Sequence, residues 1–234
     1  MCNIACIDFV KKVIYQDEVA GKRILEIGSR DFNGSVRPFL ELFQPKEYMG
    51  IDIQSGPSVD VVCNAEEMLG KFGKDSFNLV ISTENLEHVN DWKMVIHNMK
   101  QELAPGGVLL ITTRSYGKQY HAYPYDFWRY ELDDMKEIFK DFKILYLEKD
   151  PISPGVFLKA MKPLYFKERS LSDYPLYSII TKKRALVVSP FAIGWFQIKY
   201  TSKQILKKNL PTKIKTMLQN MRKKIKNGNR IEKN

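Results

Sequence analysis

The stretch that most constrains this chain is ILEIGSRDFNGS, residues 24–35. Ile24, Leu25 and Ile27 form a short apolar run of the kind found in strands buried on both faces of a parallel sheet. Gly28 then lets the backbone turn without a Cβ in the way, and Gly34-Ser35 supplies a second flexible point and an N-cap for a helix over 35–43. Pro38 suits that helix, because proline is tolerated in a first turn. A strand running into such a turn places bare backbone where a small molecule can lie.

Glu26 is the odd residue in the strand, since an unpaired buried carboxylate is costly. It either caps nearby backbone N–H groups or faces a ligand. The second role is preferred, because another acid, Asp52, ends the next strand-like run, YMGIDI. In nucleotide-binding sheets an acid at that place takes the ribose hydroxyls. The dinucleotide fingerprint G-x-G-x-x-G is incomplete: Arg30 stands where its second glycine would be, which argues against a pyrophosphate and against NAD. A ligand without phosphates, such as S-adenosylmethionine, needs the acids more than the glycines.

Five segments occur in order: LEIGS…G, GIDI, DVVCNAEEM, FNLVISTENLEHV and LAPGGVLLITT. Together they resemble the class I S-adenosylmethionine-dependent methyltransferases, in particular the type 11 methyltransferase domain group. The resemblance spans about two thirds of the chain. It implies a Rossmann-like, doubly wound α/β sheet of seven strands whose last strand is antiparallel, with S-adenosylmethionine as cofactor. It also implies a cofactor set of Glu26, Gly28, Ser29, Gly34, Asp52, Ile53, Asn64, Ala65 and Thr83. Asp52 would take the ribose, Asn64-Ala65 the adenine, and Gly28-Ser29 the methionine end. Two positions depart from the pattern. Arg30 replaces a residue that is usually small, and Asn64 stands where an acid often meets the adenine amino group, a contact an amide can also make.

Alternation of strand and helix over the first 150 residues independently supports a doubly wound sheet. Strands are predicted at 23–28, 48–53, 59–63, 78–83 and 108–113, and helices at 35–43, 65–71, 92–103 and 131–139. Asp91 is a natural N-cap for the third helix, and Pro105-Gly106-Gly107 a natural stop. The chain starts MCNIACIDFVKKVI, read as a short helix covering the sheet. Beyond Phe142, KILYLEKD and VFLKAMK read as an antiparallel hairpin at the sheet edge. Residues 164–184 show no regular pattern. The expected organisation is a methyltransferase domain over 1–163, an irregular, partly apolar extension over 164–198, and a basic amphipathic helical tail over 199–234.

Charge separates body from tail. The net charge is +10, yet residues 199–234 alone carry twelve Lys/Arg against one Glu, so the remainder is close to neutral. Over 202–226, Leu206, Leu210, Ile214, Met217, Leu218, Met221 and Ile225 fall on one helical face opposite the lysines, with a break at Pro211. Such a segment lies on an anionic membrane, binds nucleic acid, or covers its own domain. The longest apolar run, 185–198, is too short to span a bilayer and contains Pro190 and Gly194. The three cysteines lack paired spacing, which predicts reduced thiols, no zinc site and a cytoplasmic protein, with peripheral contact at the inner membrane face through the tail. The start of the sequence lacks the pattern of a secretory leader.

Two stretches are placed to do chemistry at the carboxyl ends of the central strands. One is STENLEHV, residues 82–89, where Thr83 would run beside the cofactor and His88 is read first as structural, with catalysis open through its near-neutral titration. The other is RSYGKQYHAYPYDFWRY, residues 114–130, which gathers His121, Asp126 and Arg129 among seven aromatic rings. Its H-x-Y-P-x-D-x-W-R-Y pattern resembles a segment of methyltransferases acting on surface polysaccharide or glycolipid precursors. The rings either stack on a sugar or plug the core.

The leading expectation is O-methylation of a sugar in a surface glycan or its lipid-linked precursor, with His121 or Asp126 as the base. The alternatives are an RNA or protein methyltransferase that uses the tail, and a cofactor-binding module without catalysis. Nucleic acid therefore stays open as a partner, although the body has no basic stripe.

Overall fold

The computed structural model describes residues 4–121 and 125–209, with side chains given through residue 206. Tyr123 of the aromatic loop and most of the basic tail, including the expected break at Pro211, lie outside the described residues. Two compact units emerge, Met1–Val188 and Ser189–Asn234.

The first unit is built on a seven-stranded sheet. Its strands are β1 (Arg23–Ile27), β2 (Glu47–Asp52), β3 (Val61–Val62), β4 (Phe77–Thr83), β5 (Leu103–Arg114), β7 (Lys143–Lys149) and β8 (Gly155–Met161), in the order β3-β2-β1-β4-β5-β8-β7. β1 to β5 pair in parallel, whereas β8 runs antiparallel between β5 and β7. This is the expected doubly wound α/β fold with an antiparallel last strand. Winding reverses between β1 and β4, so their carboxyl ends open the crevice in which such sheets hold ligands.

The apolar runs explain the central strands: Ile24, Leu25, Ile27, Leu79, Val80, Ile81 and Leu109 to Ile111 are all buried. The helix α1 (Ile4–Val13) covers one face as expected, packing Phe9, Val10 and Val13 over Ile24, Leu79, Ile81 and Leu110, with Phe9 and Phe157 rings 5.0 Å apart. α4 (Trp92–Glu102) is capped by Asp91, whose carboxylate accepts from Met94 N at 3.1 Å. α2 (Arg37–Glu41), α3 (Met68–Phe72) and α5 (Leu132–Ile138) are shorter than predicted.

Two expectations need correction. Pro105-Gly106-Gly107 does not separate helix from strand. β5 already starts at Leu103, which pairs with Phe77, and the three residues form an irregularity before Val108 pairs with Leu79. Gly107 is required there, because a Cβ would lie 2.8 Å from Ala104 O and 2.9 Å from Asn78 O.

The second correction concerns residues 164–184, read as irregular. β9 (Leu176–Ser178) and β10 (Lys183–Ala185) make a three-stranded antiparallel sheet with β6 (Trp128–Arg129). Strands of two or three residues leave no period to read. β6 comes from the aromatic loop, so that loop is stitched into structure at its C-terminal end.

The second unit contains α6 (Pro190–Asn209), which begins well before the helix predicted at 202.

Candidate active site

The turn after β1 is built as its glycine demands. Gly28 has φ +76°, and a Cβ on it would lie 2.7 Å from the Asn85 amide, so only glycine lets the turn after β1 and the turn after β4 meet this closely. The Gly28 and Ser29 N–H groups both donate to Ile51 O, at 2.9 and 3.0 Å. Asp31 accepts from Gly34 N at 2.9 Å and closes the loop. Three buried polar atoms at the ends of β1 and β4 have no hydrogen-bond partner among the described residues: Ser29 Oγ, Ser82 Oγ and Asn85 Nδ2. Buried polar atoms are normally paired, so this group suits a polar ligand seated against it. The Thr83 side chain is buried beside them.

Asp52 ends β2, where its carboxylate accepts from Gln54 N at 3.0 Å, and Ile53 beyond it is exposed. Asn64, after β3, is exposed and accepts from Glu66 N at 3.1 Å. The Ala65 carbonyl is held by Asn98 Nδ2 at 2.9 Å. Arg30 turns away along the loop after β2, donating to Gln54 at 2.5 Å and lying over the Phe32 ring. Glu26 is 2 % exposed and accepts from Tyr48 Oη at 2.8 Å. Burial outweighs that hydrogen bond and pushes its pKa up to about 7. Of the two roles read for Glu26, the structure supplies an internal partner.

Across the crevice the ends of β4 and β5 carry charge. Glu84, at φ +53°, forms an ion pair with Arg114, which also holds Asp150 at 2.9 Å. Glu87 is fully buried in the short 3-10 turn after β4, and its Oε2 accepts from Thr113 Oγ1 at 2.9 Å. The rings of His88 and His121 meet edge to face above it, 5.0 Å apart. His88 Nδ1 lies 2.5 Å from Tyr125 O, and His121 Nδ1 lies 2.9 Å from Asp126 Oδ2. Asp126 in turn is gripped by Arg129, through Nη1 at 2.5 Å and Nη2 at 2.7 Å, with both residues buried.

Burial disfavours a charged His121, but Asp126 and Glu87 more than offset it and push its pKa up to about 9. Burial likewise opposes ionisation of Glu87, yet the two histidines outweigh it and hold the carboxyl well below the usual range. The Asp126 carboxyl is also held low: Arg129 and His121 outweigh the cost of burying it.

The sequence-predicted residues therefore fall into two groups on either side of one crevice. The cofactor set lines the ends of β1 to β4, and His88, His121 and Asp126 meet beyond β4 and β5. Asp126 is engaged by both Arg129 and His121. Phe127, Trp128 and Tyr130 are buried and plug the core, with Trp92 packed edge-on to Trp128 and Tyr130. Tyr116 and Tyr125 are exposed. Sequence reasoning missed Ser82, Asn85 and Glu87 as site residues. The one available signal was Glu87 itself, a carboxylate between Leu86 and the His88-Val89 pair.

A doubly wound sheet with a glycine turn, an acid after the second strand and unpaired polar atoms at its switch point defines a Rossmann-like nucleotide-cofactor protein. The chain belongs to the methyltransferase domain family, whose model matches residues 5–142. Solved structures agree on the fold. An S-adenosylmethionine-dependent methyltransferase from Mesorhizobium loti superposes with a TM-score of 0.53 at 16 % identity, covering 68 % of this chain and 99 % of that one. The 1,6-didemethyltoxoflavin-N1-methyltransferase of Burkholderia thailandensis, with S-adenosylhomocysteine bound, gives 0.55 at 12 % identity, covering 68 % and 79 %. A putative methyltransferase in complex with the Haloferax volcanii Trm112 methyltransferase activator gives 0.52 at 12 % identity, covering 70 % and 96 %. No curated protein matches the sequence. By family the chain carries a methyltransferase domain, and its fold is that of the class I S-adenosylmethionine-dependent methyltransferases it resembles. Among the described residues no helix is long and apolar enough to cross a membrane.

Proposed function

We propose that this enzyme transfers the methyl group of S-adenosylmethionine to a hydroxyl oxygen of a sugar, in a surface glycan or its lipid-linked precursor. In this reading Gly28, Ser29, Gly34 and Thr83 face the methionine end of the cofactor. Asp52 and Ile53 take the ribose, and Asn64 and Ala65 the adenine. Glu26 supports the turn from below. The bound cofactor supplies an electrophilic methyl on a sulfonium. The protein's part is to align the acceptor with that methyl, exclude water and manage the hydroxyl proton.

One observation carries the choice of oxygen. His88 and His121 turn their Nε2 atoms toward the same Glu87 oxygen, at 3.9 and 3.6 Å, each fixed through Nδ1, so a hydroxyl entering there meets two oriented imidazoles. The exposed rings of Tyr116 and Tyr125, in the same loop, offer faces on which a sugar ring can stack.

Residues 199–234 are proposed to hold the enzyme at an anionic membrane. The described part of α6 supports this: Phe191, Trp195, Ile198, Ile205 and Leu206 are exposed at helical spacing, and Lys199 lies over the Trp195 ring at 4.7 Å. The test is transfer of labelled methyl from S-adenosylmethionine into a cell extract separated into lipid and glycan, nuclease-sensitive and protein fractions. Label in the lipid or glycan fraction is expected. Label confined to the nuclease-sensitive fraction would make the tail an RNA-binding arm and overturn the acceptor.

A further inference from the structure

Glu87, His88 and His121 point one donor atom each into a common gap. Glu87 Oε1 is buried and has no hydrogen-bond partner among the described residues. It lies 3.6 Å from His121 Nε2 and 3.9 Å from His88 Nε2, too far for hydrogen bonds. All three donor atoms fall within 4.8 Å of one another.

The surroundings fix which atoms face the gap. His88 Nδ1 meets the Tyr125 carbonyl, and His121 Nδ1 meets the Asp126 carboxylate and, at 3.2 Å, the Gln119 carbonyl. All of these are acceptors, so each Nδ1 is the donor there and each Nε2 faces the gap, where a bound cation would take the place of the second proton of His121. The second oxygen of Glu87 is tied down by Thr113. Two imidazoles and one carboxylate, each anchored from behind by a carbonyl, a carboxylate or a hydroxyl, is the layout of a metal site with its outer shell in place.

We propose that Glu87 Oε1, His88 Nε2 and His121 Nε2 bind a first-row divalent cation such as Zn2+ or Mn2+. Donors bound at about 2.1 Å around one ion sit about 3.0–3.4 Å apart, so the two Glu87–histidine distances must close by roughly 0.2–0.9 Å, and the widest donor separation, which lies within 4.8 Å, by no more than about 1.8 Å. Imidazole nitrogens select against Mg2+ and Ca2+, which favour all-oxygen sites. Three protein donors leave coordination positions open, the hallmark of a reactive rather than a closed structural site. On the glycan reading above, those positions receive the acceptor hydroxyl, or two neighbouring hydroxyls of one sugar ring. The metal site itself does not depend on that reading. The spacing of the cysteines predicted no zinc site, and the described ones, Cys6 and Cys63, take no part in this one. The competing occupant of the gap is a proton shared between His121 and Glu87.

The chain has three histidines, and the third, His97, is engaged by Glu168 at 2.8 Å. This makes the test clean. Co2+ is titrated into chelator-treated full-length protein and followed by its visible absorption. One equivalent is expected to bind, and one equivalent of Zn2+ to displace it. His88→Asn and His121→Asn should each weaken binding at least 10-fold, Asp126→Asn about 10-fold through loss of orientation, and His97→Asn not at all. Retention of the thermal shift produced by S-adenosylhomocysteine shows that each variant is folded. In the unsubstituted protein, pulsed EPR of bound Cu2+ should report two imidazoles. Absence of saturable binding, a Co2+ signal that survives both His88→Asn and His121→Asn, or fewer than two imidazoles on Cu2+ would overturn the site. Labelled methyl transfer in the same preparations separates the two ideas. Metal bound without glycan label would sink the acceptor only, and glycan label from a protein that binds no metal would sink the metal only.

Discussion

The two rims of the crevice are made differently. On the cofactor side, at the ends of β1 to β3, the contacts are mostly backbone, and Ser29 Oγ is left buried with no partner. On the other side, beyond β4 and β5, charged groups are interlocked: Arg114 with Glu84 and Asp150, Asp126 with Arg129 and His121, Glu87 with Thr113. One rim is completed by what binds, and the other is largely assembled beforehand, with the gap at Glu87 Oε1 as its open point. Truncations on the first should therefore cost affinity, and truncations on the second should cost stability.

The largest expected effect is at Arg129. Arg129→Ala strands the buried Asp126 charge and should destabilise the protein by roughly 3–5 kcal/mol in denaturant unfolding. A loss below about 1 kcal/mol would mean that the rim is not pre-assembled.

Glu26 sharpens the comparison because it is a buried acid on the cofactor side. Its pKa rises from the ordinary 4.5 to about 7 on folding. Between those values the folded chain keeps a proton that the unfolded chain releases, so stability should fall as pH rises from 4.5 to 7 and then level off. The total is roughly 3 kcal/mol. Unfolding midpoints across this range, compared with a flatter profile for Glu26→Gln, check the sign.

Asp52→Ala should leave stability nearly unchanged and weaken S-adenosylmethionine binding by roughly 1.5–3 kcal/mol in calorimetry. Unchanged affinity would move the ribose elsewhere. The smallest effect belongs to Ser29→Ala. Removing a hydroxyl without a protein partner should alter stability by less than about 0.5 kcal/mol while costing about 1 kcal/mol of cofactor affinity. The reverse pattern would erase the distinction between the rims.

Much of this was legible in the chain. Ile24-Leu25, Leu79 to Ile81 and Leu109 to Ile111 announce strands buried on both faces, and Asp91 announces α4, because each signal is local. Asp126 and Arg129 were visible as residue types in the aromatic loop, but their pairing was not. β9 and β10 could not be read either, since three-residue strands carrying Lys183 and Arg184 have no apolar period. The start of β5 at Leu103 depends on pairing with Phe77 across the sheet, which no local rule reports. Glu87 and His121 are far apart in sequence and meet only because β5 carries the chain back beside the end of β4. The site's chemistry was visible as residue types, and its geometry was not.

The place of β8 bears on how the protein is made. β5 is the strand from which the aromatic loop departs, yet its outer edge is covered by a strand that leaves the ribosome some forty residues after β5 is complete. β1 to β5 can pair as they emerge, each against a neighbour already synthesised. Until Met161 is out, the nascent chain carries an unprotected edge directly beside the charged rim. The half of the enzyme that is most firmly built is thus the last to be closed, and synthesis stalled within β7 would leave the edge of β5 open to pairing with the wrong strand.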